Sequence, residues 1–159
     1  MPRQVDELEF RADAAEAVVA RMEGLLTRRD GWVNLQPGIP EKDAPPAPSG
    51  LAALFGSPSF PVPVCTWVPG RAGLRGLAPD TIGIQHATGP KAVRRLAEQG
   101  VPLPAGWRWR QDHPRRGLVV ELPPDTAPAE VLDWLLRAGA ALSTVTGTGD
   151  WRAEFHRSS

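Results

Sequence analysis

The chain has 159 residues, 42% of them apolar and 23% charged, and its eighteen basic and eighteen acidic side chains cancel. A chain of this length buries enough surface to fold without a disulfide or metal staple. The zero net charge argues against a general affinity for nucleic acid.

Composition narrows the setting further. Cys65 is the only cysteine, which excludes an intrachain disulfide and suits a reducing cytosol. The start of the chain has no apolar signal-peptide run, and no 18-residue apolar stretch occurs. A cytoplasmic, bacterial-type protein with no membrane span and no membrane partner is the expectation. Eighteen prolines and sixteen glycines call for many turns. Charge is unevenly placed: residues 1–50 are acidic, whereas residues 71–116 hold nine basic against three acidic side chains.

Leu8, Ala15 and Met22 recur every seven residues, with Val18, Val19, Leu25 and Leu26 beside them. That spacing predicts an amphipathic helix from about Gln4 to Thr27, forming an N-terminal segment 1–28. Its stripe can dock on the rest of the chain or, in a homodimer, on a second copy; docking within the chain is the expected outcome. Residues 29–61 read as an irregular Pro/Gly-rich linker, because Pro37, Pro40, Pro45, Pro46 and Pro48 break regular structure.

An α+β domain is expected over 62–159. Val62–Val68 alternates, and Pro61 and Pro63 suggest an edge strand. Thr81–Gln85 reads as a strand, followed by a helix that opens at Thr88-Gly89-Pro90 and ends at Gly100. Trp107–Gln111 and Gly117–Leu122 read as a hairpin. A second helix runs from about Ala127 to Ala138, stopped by Gly139. Leu142–Thr146 and Trp151–His156 complete the pattern as strands. The order βαββαβ predicts a ferredoxin-like antiparallel sheet with two helices on one face. Two-residue alternation places Trp107, Trp109, Trp151 and Phe155 under those helices.

The opposite face then presents Gln85, Arg108, Arg110, Glu121, Arg152, Glu154 and His156. Lys91 and Arg94 add positive charge at the strand–helix junction. Gln85, Lys91, Arg94, Arg108, Arg110, Glu121, Arg152 and His156 are therefore the candidate ligand- or partner-binding residues. No catalytic signature emerges: HExxH, CxxC, GxSxG, GxGxxG and the phosphate-cradling GxxxxGK[ST] are all missing. Asp112 and His113 fit a turn better than an acid–base pair. Cys65 fits a small buried hydrophobe.

The expected function is a non-catalytic interaction or ligand-binding module without a cofactor. One alternative is a small enzyme or binding protein for an anionic small molecule, using the arginine-bearing face. A second is a single-stranded nucleic-acid binder, disfavoured because the outward positions lack an aromatic pair for stacking bases.

Overall fold

The computed structural model describes residues 4–43 and 62–158. Part of the expected proline-rich linker, residues 44–61, lies outside the described residues.

The chain opens on a strand. β1 spans Val5–Arg11 and α1 spans Glu16–Arg28. The helix expected from Gln4 therefore starts twelve residues later. Leu8 and Phe10 point inward while Glu7, Glu9 and Arg11 point out, and this period of two wins over the seven-residue spacing. Val18, Met22 and Leu25 of α1 are buried against the same chain, at 1% exposure or less.

β2 runs over Gly31–Pro37, inside the segment expected to be irregular. Val33 and Leu35 face the core, and Pro37 closes the strand. β3 covers Val64–Val68. The short strands β4, Ala72–Gly73, and β5, Gly76–Leu77, form a separate hairpin. β6 is Thr81–Gln85, α2 is Ala92–Glu98, β7 is Arg108–His113 and β8 is Gly117–Glu121. The chain then forms α3, Pro128–Ala141, and β9, Asp150–Arg157. The strand expected at Leu142–Thr146 is a connection of turns and bends.

Seven strands make one wholly antiparallel sheet in the order β1-β9-β2-β3-β6-β8-β7. This overturns the ferredoxin-like expectation. The elements from β6 to β9 do occur in the order βαββαβ, but β9 pairs with β1 and β2, not with β6. β2 and β3 fill the space between. β3 is the middle strand of seven, not an edge. Pro63 precedes its first residue, so no ladder donor is lost.

All three helices, α1 included, share one core with the inward side of the sheet. Trp107 and Trp134 meet edge to face at 5.4 Å, and Trp151 and Phe155 are 5% exposed. Trp109 departs from the expected pattern. It pairs with Val120, but β7 is the outermost strand, and Trp109 is 57% exposed.

Two contacts explain how the helices sit. The Asp112 carboxylate, on β7, accepts from the backbone N–H groups of Ala92 and Val93, both at 3.0 Å. It supplies from a neighbouring strand the cap that Lys91 cannot. Gly139, expected to stop α3, lies within it. A Cβ there would stand 2.9 Å from both Cys65 Sγ and Trp151 Cη2, so a glycine is what lets α3 approach the sheet. Burial of Cys65 pushes its thiol up to about 12, which makes it an inert core group.

In Gly139→Ala the helix gains about 1 kcal/mol from better propensity. Overpacking against Cys65 and Trp151 costs about 1–3 kcal/mol. The expected net result is destabilisation of about 1 kcal/mol, read as a lower urea midpoint with an unchanged slope. A raised midpoint would show that α3 has room to spare.

Candidate functional site

The register defines the sheet's outer face. One row crosses all seven strands: Glu7, Glu154, Asn34, Thr66, Gly83, Val119 and Gln111. A parallel row near one end contains Val5, His156 and Trp32. Another, toward the opposite end, contains Glu9, Arg152 and Gln36.

These rows place a connected polar cluster over β2, β3 and β9. Thr66 Oγ1 donates to Asn34 Oδ1 at 2.7 Å. Asn34 Nδ2 lies 3.4 Å from His156 Nε2. That same Nε2 is 3.5 Å from Glu154 Oε2, while Arg152 reaches Glu154 Oε1 at 3.5 Å. The indole of Trp32 stacks on the His156 ring at 4.9 Å with only 4° between planes. The stack fixes the ring's tilt, and the two contacts at Nε2 fix its direction. Nε2 accepts from Asn34 when unprotonated and donates to Glu154 when protonated.

Arg152 joins this cluster to a groove of about 830 Å³. Among the described residues, its lining includes Glu9, Gln36, Pro37, Ile39, Val62 and Arg152. The charged groups stand beside aliphatic surface. Arg11 contributes little free charge, because it pairs with Asp150 at 3.0 Å.

The residues singled out by sequence separate into groups. Arg152 and His156 belong to the cluster just described. Arg108, Arg110 and Glu121 lie at the β7–β8 edge, four to five strand spacings away, about 19–24 Å. A bulge between Trp109 and Gln111 lets Arg110 meet Glu121 at 2.8 Å although Arg108 is its register partner. The Glu121 hydrogen bond and charge raise the Arg110 pKa. Gln85 is tied to the β7–β8 turn, where its Nε2 donates to the Arg116 carbonyl at 3.1 Å. Lys91 adopts a left-handed conformation just before α2, and Arg94 pairs with Glu98 one turn along that helix.

The remaining histidines have structural roles. His113 Nδ1 accepts from the N–H groups of Arg115 and Arg116, at 3.0 and 3.1 Å, and so caps its turn. His86 Nδ1 accepts from the Thr88 N–H at 3.3 Å, leaving the proton on Nε2, which is buried without a hydrogen-bond partner among the described residues. Among the described residues, no group of three His, Cys, Asp or Glu side chains could hold a metal ion.

Trp32, Asn34 and Gln36 were missed as site residues because 29–61 reads as a linker, and Thr66 because Val62–Val68 reads as an edge strand outside the βαββαβ unit. The available signal was the alternation Trp32, Asn34, Gln36 against Val33, Leu35.

Comparison with family models, curated proteins and solved structures gives no match to this chain.

Burial, then the nearby Arg95 charge, lower the His86 pKa from its ordinary 6.5, with Asp112 opposing them. The unfolded chain therefore binds a proton at His86 at a higher pH than the folded one. Stability from this group is full above about pH 6.5 and declines as pH falls toward the depressed folded value. Chemical denaturation at a series of pH values should show this decline, and His86→Gln should flatten it. An identical slope in the variant would assign the decline to other groups.

Proposed function

We propose that this protein is a non-catalytic ligand-binding module that uses the outer face of its sheet, with Arg152 at the junction of groove and polar cluster. The connected arrangement Thr66–Asn34–His156–Glu154–Arg152, held flat by Trp32, carries this reading. It is preorganised, so a ligand need not order the side chains that meet it. Its ligand is a small molecule with an anionic group for Arg152, an N–H donor for Glu154 or Glu9, and an aliphatic part for Ile39 and Val62.

The dispersal of the acid–base candidates favours binding over catalysis. His156 and Glu121 are about 19 Å apart across four strand spacings, and His113 is occupied by its turn. Proton transfer requires such groups within hydrogen-bond reach of one substrate. A cytosolic setting accords with the buried, unreactive Cys65. Among the described residues, no helix is long and apolar enough to cross a membrane.

A second site for an anion is favoured by one observation. Lys91, Arg115 and Arg116 have no carboxylate partner among the described residues, and the Arg116 backbone is joined to Gln85 at the β7–β8 turn.

Titration of labelled protein with N-acetyl-leucine and with inorganic phosphate, followed by amide NMR shifts, tests the assignment. N-acetyl-leucine should shift Asn34, Gln36, Arg152 and Glu154. Arg152→Ala should weaken it by about 1.5–3 kcal/mol, the range for a charge-assisted hydrogen bond. Shifts confined to Gln85, Lys91, Arg115 and Arg116 would favour the second site. Shifts at neither place would contradict both.

A further inference from the structure

The β4–β5 hairpin stands apart from the seven-stranded sheet. Residues 71–79 are all exposed, with Leu74 at 109% and Leu77 at 58%. Val68, at the hairpin's root, is 37% exposed. Three of the five exposed large hydrophobic residues among those described thus fall within ten positions of the chain. Leucines exposed together on one projecting hairpin mark a surface with an occupant.

Its base is rigid. Arg29 donates from Nη1 to the Gly70 carbonyl at 2.7 Å and to Asp80 Oδ1 at 3.1 Å. The Gly70 N–H donates to the same carboxylate oxygen at 2.8 Å, and the Ala78 N–H closes the hairpin onto the Arg71 carbonyl at 3.0 Å. A Cβ on Gly70 would stand 1.8 Å from the Ala78 carbonyl oxygen, so the two arms meet backbone to backbone. The leucines therefore project from a fixed mount.

The charge on this arm has one sign. Residues 69–79 contain Arg71 and Arg75 and no acidic residue. The acids near the base are already paired, Asp80 with Arg29 and Asp30 with Arg28 at 3.4 Å. Arg71 donates to the Ser158 hydroxyl, and neither Arg71 nor Arg75 has a carboxylate partner among the described residues.

We infer that the β4–β5 hairpin docks the protein on an anionic lipid surface. Leu74 and Leu77 enter the boundary between headgroups and acyl chains, and Arg71 and Arg75 meet the anionic headgroups. Two features favour a lipid surface over a protein pocket. The apolar residues are at a projecting tip, which a deformable interface admits without a matching cavity. Arg75 shares the turn with Leu74, and Arg71 stands at the hairpin's root beside Ser158, behind the leucines where headgroup charge lies. Docking of this kind needs no membrane-crossing helix.

Co-sedimentation of the full chain with vesicles tests the inference. Pure phosphatidylcholine vesicles are compared with vesicles containing 30% phosphatidylglycerol, at low and physiological salt. Preferential binding to the anionic vesicles, weakened by salt, is expected. Leu74→Asp with Leu77→Asp should lower the partition coefficient on the order of a hundredfold. Arg75→Glu should lower it severalfold on anionic vesicles. All these positions are exposed, so the thermal midpoint should stay within a degree or two of the parent's. Equal binding to both vesicle types, or undiminished binding by the double leucine variant, would overturn the inference. So would a concentration-dependent solution mass that the leucine variant abolishes, because the occupant would then be a second copy.

Discussion

The structure depends on β3 lying in the middle of the sheet. Two inward-facing rows run through it. One joins Leu35, Cys65, Ile84 and Leu118, and the other joins Val33, Trp67, Ile82 and Val120. All eight residues are at most 1% exposed. On one side of β3, the strands β1 and β2 are connected by α1 and hold β9 between them. On the other, β6 and β7 are connected by α2 and hold β8 between them. β3 pairs with the inner strand of each half, β2 and β6. Without it the halves would be two three-stranded sheets, each with an additional open edge.

The outer face follows from that arrangement. Asn34 and Thr66 come from β2 and β3, while Arg152, Glu154 and His156 come from β9, so the cluster forms only where distant parts of the chain meet. The same width separates it from Arg108, Arg110 and Glu121. A narrower sheet would have brought the arginines together into one strongly basic face. The seven-stranded sheet divides them into neutralised pairs, Arg110 with Glu121 and Arg152 with Glu154. On the proposed reading, recognition by this face relies on shape and directed hydrogen bonds more than on net charge.

Local alternation was legible in the sequence. β6, β7, β8 and β9 stand near the expected positions, and the pairing of Arg108 with Glu121 and of Trp109 with Val120 follows from the hairpin. The bulge at Arg110 shifts the remaining pairs by one residue, so that Asp112 meets Leu118. Strand order was not legible, because it is decided by long-range competition. β9 can pair with β6 only if nothing else occupies that edge, and β2 and β3 do. Prolines misdirected the reading of both: Pro37, which terminates β2, made it look like linker, and Pro63, which precedes β3, made it look like an edge strand, although neither position costs a ladder hydrogen bond. At the N-terminus the heptad spacing spans the break between β1 and α1, a coincidence that alternation within Val5–Arg11 would have exposed. The outer-face cluster shared this fate, since half of it lies on β2 and β3, the one read as linker and the other as an edge strand.

Native-state hydrogen exchange tests the central role of β3 most directly. Its amides are flanked by paired strands on both sides, so the protected amides of Cys65 and Trp67 should open only with global unfolding, among the slowest in the chain. Edge amides in β1 should exchange much faster. Exchange in β3 as rapid as in β1 would contradict a sheet organised around that strand.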